Sequence, residues 1–226
     1  YVLFICMSII WPQANAEQQT VILGASLFPP SAYIDKSTGK CVGENIDVTS
    51  KILAHYNIKL EVVCTLPARM YLLVKNSEVD FTVNVKSTRA LSPYVEYVAP
   101  PLKKLVINLY RYGTNSEFKT ISAIRGFDYN GSRQKFVDRN YQFVDLPTAE
   151  SALQLFLKRR SDALISYQSN VTHLKQQNAI TFPKEITVTP LLEVNAYYAN
   201  FDLLRHVLKD YAEQHNLEYF VPQKTD

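Results

Sequence analysis

Few side chains in this sequence are grouped as a catalyst would need them. His55, His173, His206 and His215 fall on helix-like or loop segments, and no Gly-x-Ser-x-Gly turn presents a nucleophile. Glu44 and Asp47 are paired carboxylates, but at i and i+3 of a helix start they serve the helix dipole. Cys41 and Cys64 have no Cys or His companions nearby, so they do not make a zinc site. The abundant chemistry is aromatic and polar. The chain holds 15 Tyr, many near the ends of strand-like runs, which suits a polar cleft with aromatic walls. These residue types point to recognition rather than turnover, with no cofactor and no metal implied.

The elements that must position such a cleft are legible from periodicity. Short Val/Ile/Tyr-rich runs at 20–25, 59–63, 80–83, 105–110, 120–124, 142–146, 162–165, 186–189 and 194–198 read as buried strands. They alternate with segments of helical period, the pattern of an α/β architecture with mainly parallel strands. Ala149, Ala152, Leu153, Phe156 and Leu157 make one helical face behind Thr148 as N-cap. Leu203, Leu204, Val207, Leu208 and Tyr211 repeat the stripe behind Asp202. Further helices are predicted from about 45 to 56 and from 67 to 75, the latter with Pro67 at a tolerated first-turn position. No repeat, low-complexity tract or flexible linker interrupts the chain, so two domains would be joined by ordinary strands.

Charge and leader restrict the function classes. Tyr1 to Trp11 is almost wholly apolar, too short to span a bilayer, and Ala14-Asn15-Ala16 places small residues where a signal peptidase cuts. Residues 1–16 therefore read as a cleaved secretory signal, and the mature protein as exported. The 24 Lys and Arg against 21 Asp and Glu give a net charge of +3, with no basic run, which argues against nucleic acid as partner. Cys6 leaves with the signal. An oxidising compartment permits a bond between Cys41 and Cys64, and only geometry decides it.

Read in order, Phe28-Pro29-Pro30, Gly43-Glu44-Asn45-Ile46-Asp47, Glu78-Val79-Asp80, the Arg of Lys86-Ser87-Thr88-Arg89, Arg125-Gly126 and Arg160-Ser161-Asp162-Ala163 resemble landmarks of the family 3 extracellular solute-binding proteins. Pro67-Ala68-Arg69-Met70 is similar to the Arg-containing helix start of a divergent branch of that family. The resemblance covers nearly all of the mature chain. It implies a two-lobed type II periplasmic-binding fold with two hinge crossovers, near Pro100–Leu105 and Pro190–Val194, and a ligand in the interlobe cleft. Lobe 1 would hold 17–103 plus 194–226 and lobe 2 would hold 104–193. The implied function is capture of a small polar solute, by a monomer, for an ABC-type permease.

The same resemblance assigns site residues. Arg89 would pair with a ligand carboxylate through its guanidinium fork. Thr82 and Asn84 would offer polar groups from a strand exit, and Phe28 an aromatic wall. Arg69 would add a second cation. Gly126, Phe127 and Asp128 match the lobe 2 loop that meets the ligand at a helix N-terminus, where Asp128 either receives a ligand cation or caps the helix starting near Gly131. At Tyr167 amino-acid-binding members carry an Asp for the ligand α-ammonium. A phenol supplies no negative charge at pH 7, so ordinary L-amino acids should bind weakly. Two other classes share the scaffold: an enzyme of the dehydratase or lyase kind, and a solute-sensing module that docks on a membrane receptor.

Overall fold

The computed structural model describes residues 18–113, 118–177, 181–199 and 202–222. The leader at 1–16 lies outside the described residues, as does the side chain of Asp202, on which an N-cap was expected.

Two long strands organise the rest. In chain order come β1 (Thr20–Ser26), β2 (Tyr33–Ile34), β3 (Cys41–Val42), α1 (Glu44–His55), β4 (Lys59–Thr65), α2 (Pro67–Lys75), β5 (Phe81–Val85) and the sixteen-residue β6 (Tyr97–Tyr112). Then follow β7 (Thr120–Ile124), α3 (Ser132–Val137), β8 (Gln142–Leu146), α4 (Ala149–Leu157), β9 (Ala163–Tyr167), α5 (Gln168–Gln176), β10 (Ile186–Ala199) and α6 (Asp202–Gln214). One sheet runs β4-β1-β5-β10-β6-β9-β7-β8. The outer strands of each half are parallel, as helix-linked crossovers require, while β6 and β10 pair antiparallel along their whole length. At one end β10 pairs with β5, and at the other β6 pairs with β9. The chain thus forms two α/β lobes joined by a two-stranded ribbon.

The two runs expected at 186–189 and 194–198 are one strand. Pro190 offers no N–H to the ladder, and the register shifts between Pro190 and Leu192 instead of ending the strand. A second shift lies between Ala196 and Tyr198. The strand at 105–110 likewise extends back through Pro100-Pro101 to Tyr97. The β2–β3 hairpin and α5 were not anticipated, being too short or too polar for a periodic signal, whereas α3 begins at Ser132, beside the helix start expected near Gly131.

Each lobe has its own core. In lobe 1, α1 and α6 cover one sheet face, with Ile52, Leu53, Leu204 and Leu208 packed on Val21, Leu23, Phe81 and Tyr198. Phe220 and Val221 close this core, their N–H groups donating to Pro101 and Leu102 carbonyls of β6. On the other face, Met70, Tyr71 and Val74 of α2 pack against Val79 and Leu91. In lobe 2, Ala152, Leu153 and Phe156 of α4 meet Val171 and Leu174 of α5 over Leu164 and Tyr110. Each such fully buried Leu or Phe stabilises by about 1.5–3 kcal/mol relative to exposure. The expected Thr148 cap is present. Its hydroxyl accepts from Ser151 N–H while Ser151 Oγ accepts from Thr148 N–H, a reciprocal capping box.

Two aspartates just before strands stitch the sheet in both lobes. Asp80 accepts from Ile22 N–H at 2.7 Å. Asp162 accepts from the N–H groups of Lys119 and Thr120, each at 2.9 Å, and from the Thr120 hydroxyl. These bonds, the Lys119 one foremost, hold the Asp162 carboxyl below its ordinary value of 3.8. Its stabilisation is thus present above the unfolded value and is lost as pH falls through the lowered folded one. We expect Asp162→Asn to cost about 1–2 kcal/mol at pH 7. Denaturant unfolding at pH 7 and below pH 4 should show the gap to wild type narrowing in acid.

Cys41 and Cys64 form a disulfide, Cα atoms 5.8 Å apart, tying the β2–β3 hairpin to β4. In the chain-entropy description a loop of this length contributes about 3 kcal/mol. Reduction, or the double substitution Cys41→Ala/Cys64→Ala, should lower the unfolding midpoint accordingly in denaturant titrations with and without reductant.

Candidate functional site between the lobes

A cavity of about 240 Å³ lies between the lobes at the carboxyl ends of β5, β7 and β9. That is where an open α/β sheet leaves a crevice, because the loops there diverge and present free backbone and polar side chains. Lobe 1 contributes Asn84, Thr88 and Arg89 from the β5 exit and Tyr71 from α2. Lobe 2 contributes Gly126, Phe127, Asp128 and Tyr129 from the β7 exit and Tyr167 from the end of β9.

The lobe 1 turn is rigidly built. Asn84 Oδ1 accepts from Val85 N–H at 2.9 Å and from the Thr88 hydroxyl at 2.7 Å. The Thr88 carbonyl accepts from Leu91 and Ser92 N–H, and Leu91 is fully buried. Arg89 is therefore fixed at its backbone by buried neighbours on either side. Its side chain is exposed and, among the described residues, makes no hydrogen bond or ion pair.

The lobe 2 loop is clamped from below by Arg133. The guanidinium donates to the Phe127 carbonyl at 2.7 Å and the Ile124 carbonyl at 3.2 Å, and it pairs with Asp145 at 2.7 Å. Gly126 has φ +83° and faces the Tyr71 ring across the cleft, so this is a position where a side chain would strain the backbone. Tyr129 is fully buried, and its hydroxyl oxygen accepts from Ile124 N–H at 2.8 Å. Asp128 does not cap α3: that helix follows Gly131 in the left-handed region with no side-chain cap, and Asp128 Oδ1 instead accepts from Asn130 N–H at 3.0 Å.

Of the residues singled out from sequence, Arg89, Asn84, Gly126, Phe127, Asp128 and Tyr167 line the one cavity. Three others do not. Thr82 is fully buried and its hydroxyl donates to the Gly24 carbonyl at 2.7 Å, because it shares a face of β5 with Asn84 but lies two residues further inside the strand. Arg69 is exposed on α2, outside the cavity lining. Phe28 stands behind the cavity, edge-on to Tyr167 at 4.9 Å and tilted on Phe127 at 6.2 Å, so it supports the wall rather than forming it. Tyr71, Thr88 and Tyr129 were missed. Their signals, a helical apolar position, a turn hydroxyl and a loop aromatic, are indistinguishable from core or turn residues until the chain is folded.

Electrostatically the site is phenol-rich and poor in counter-charge. Burial pushes the Tyr71 phenol up to about 12, with the Asn84 amide opposing and the Asp128 charge adding. Burial also raises Tyr97 to about 12 and Tyr167 well above 10.0, and the Asp128 charge contributes at both. All three are neutral at pH 7.

The lobes touch directly beside the cavity. Asn170 of α5 donates to the Pro29 carbonyl at 2.5 Å, and the Tyr33 ring lies 5.3 Å from His173. The lobe 1 loop carrying Phe28 and Pro29 is itself tied to the ribbon, since Lys103 of β6 donates to Ser31 Oγ at 2.6 Å and Glu44 at 2.7 Å. Gly43 lies so close beneath that loop that any Cβ would sit 2.5 Å from the Ser31 carbonyl oxygen. A further groove of about 470 Å³ runs between the hairpin and α4–α5, and His173 in it has a pKa lowered by burial. Another, about 560 Å³, lies between α6 and the start of β6 and is lined by neither loop of the cleft. Asn170→Ala should remove a closing contact. Small-angle scattering of the unliganded variant should then give a larger radius of gyration than wild type, with an unchanged melting temperature within a few degrees.

No protein-family model matches the sequence, and no curated protein matches it. Solved structures do match in shape. A histidine kinase sensor domain with similarity to periplasmic binding proteins superposes with a TM-score of 0.73 at 16% identity, covering 89% of this chain and 93% of that one. An ABC uptake transporter substrate-binding protein from Streptococcus pneumoniae with bound histidine gives 0.71 at 13%, covering 87% of each chain. An ancestral arginine-binding protein bound to arginine gives 0.70 at 17%, covering 89% and 94%. The chain therefore has the two-lobed type II periplasmic-binding fold.

Proposed function

We propose that this protein is an exported solute receptor that holds a small, polar, carboxylate-bearing molecule in the cavity at Arg89, and that it hands this solute to an ABC-type permease. The observation that carries the reading is a guanidinium on a fixed backbone turn, with no hydrogen bond or ion pair among the described residues, lining an interlobe cavity at the strand ends. A carboxylate entering there trades water for two parallel charge-assisted bonds, which are stronger than neutral ones. The neighbours that bind histidine and arginine support solute capture on this fold, and the uptake-transporter neighbour supports the permease as partner. The sensor-domain neighbour shows the same scaffold in another setting.

Binding without catalysis agrees with the site's composition. Among the described residues the cavity lining includes no His, Cys or Lys, and Asp128 is its sole carboxylate. General acid–base work needs a proton donor and acceptor tuned toward neutral pH, whereas the phenols here are raised away from it.

Arg89→Ala should weaken binding of any carboxylate ligand by about 100-fold or more, equivalent to about 3 kcal/mol, with little change in melting temperature because the side chain is exposed. Thermal-shift screening of the mature protein against carboxylates, followed by calorimetric titration of wild type and variant, checks this. Equal affinity in the two would remove Arg89 from the site.

A further inference from the structure

The cavity carries opposite charges on its two walls. Arg89 enters from lobe 1 and Asp128 from lobe 2, and among the described residues no ion pair joins them. Asp128 spends one oxygen on Asn130 N–H, while Oδ2 makes no hydrogen bond among the described residues. Burial is the larger cause of the raised phenols of Tyr71, Tyr97 and Tyr167, yet the Asp128 charge adds to all three, which sets the carboxylate against the ring cluster.

A ligand cation beside Asp128 would find an amide oxygen and a phenol oxygen of the cavity lining already engaged. A primary ammonium has three N–H donors, and each one removed from water needs a partner. Asn84 Oδ1 is already taken twice, by Val85 N–H and the Thr88 hydroxyl. The Tyr129 oxygen is taken by Ile124 N–H. A quaternary ammonium has no N–H to satisfy. It needs one negative charge and aromatic faces, which attract it through the ring quadrupole. Tyr71, Phe127, Tyr129 and Tyr167 surround the cavity with rings. At about 240 Å³ the space lies below the usual range for drug-sized ligands, about 300–1,000 Å³, and suits a compact molecule.

We infer, resting on the carboxylate reading above, that the ligand is a compact zwitterion of the betaine class, its carboxylate at Arg89 and its N-methylated ammonium held by Asp128 among the rings of Tyr71, Phe127 and Tyr167. Residue 167 then contributes a ring face, and the counter-charge comes from the other lobe 2 loop.

The test titrates the mature protein calorimetrically with glycine betaine, with glycine, and with tert-butylacetate, which has the shape of the betaine without its positive charge. Glycine betaine should bind at least about tenfold more tightly than either. Asp128→Asn keeps the acceptor for Asn130 and should lower glycine betaine affinity by about tenfold or more while leaving tert-butylacetate unchanged. Phe127→Leu, which alters no charge, should reduce the preference for glycine betaine over tert-butylacetate. Tighter binding of glycine than of glycine betaine, or undiminished glycine betaine affinity in Asp128→Asn, overturns the betaine assignment. If Arg89→Ala still abolishes binding in that case, the carboxylate reading stands. If Arg89→Ala leaves carboxylate binding intact, both fall.

Discussion

Everything in this molecule hangs on the antiparallel pairing of β6 with β10. The two strands belong to both lobes at once: β5 adds to the ribbon at one end and β9 at the other, so a single sheet serves two cores. Lobe orientation, and with it the width of the cleft, is set by how this ribbon twists. Two-stranded ribbons twist more freely than wide sheets, and the register shifts at Pro190 and Ala196 place local irregularity along its length. Lys103 shows how closely hinge and site are connected. Buried on β6, it bonds to Ser31 and Glu44, so the loop beside the cleft is anchored to the ribbon itself. Burial lowers its pKa and Glu44 opposes that, the balance expected of a charge kept only because it is paired.

The cleft floor is aromatic and the cleft walls are charged, and the two do different work. Phe28, Phe127, Tyr129 and Tyr167 pack on one another with centroids 4.9 to 6.2 Å apart. Such pairs add about 0.5–1.5 kcal/mol each beyond area burial, so the floor belongs to the lobe 2 core as much as to the site. Arg89 and Asp128 contribute little to folding, being exposed or partly so. Their placement costs the protein little and is free to answer to a ligand. The lobes also meet directly, through Asn170 and Tyr33, so closure is stabilised by protein contacts as well as by the cavity.

Several landmarks that suggested the fold from sequence turn out to be structural. Asp80 and Asp162 each sit just before a strand and accept backbone N–H groups from the neighbouring one. Gly43 is required by the approach of the Ser31 carbonyl, and Glu44 pairs with a buried lysine. Backbone geometry and pairing account for these residues where they stand. They are good evidence for two lobes and a sheet, and silent about what the lobes close upon.

Local physics therefore settled the elements and left the site to the fold. Periodicity placed the helices at 149–157 and 67–75 and most strands, since apolar spacing reports burial directly. It could not join 186–189 to 194–198, because Pro190 reads as a break until the partner strand shows a bulge. Nor could it separate Thr82 from Asn84, which share one face of β5, when only the fold decides how far along the strand the cleft reaches. Cys41 and Cys64 carried the capacity for a bond, and the approach of β3 to β4 supplied the distance. The same holds for Asp128. Its charge was plain in the sequence, but whether it capped a helix or faced a cavity depended on the turn before α3, where Gly131 takes the N-cap place and Asp128 turns to Asn130.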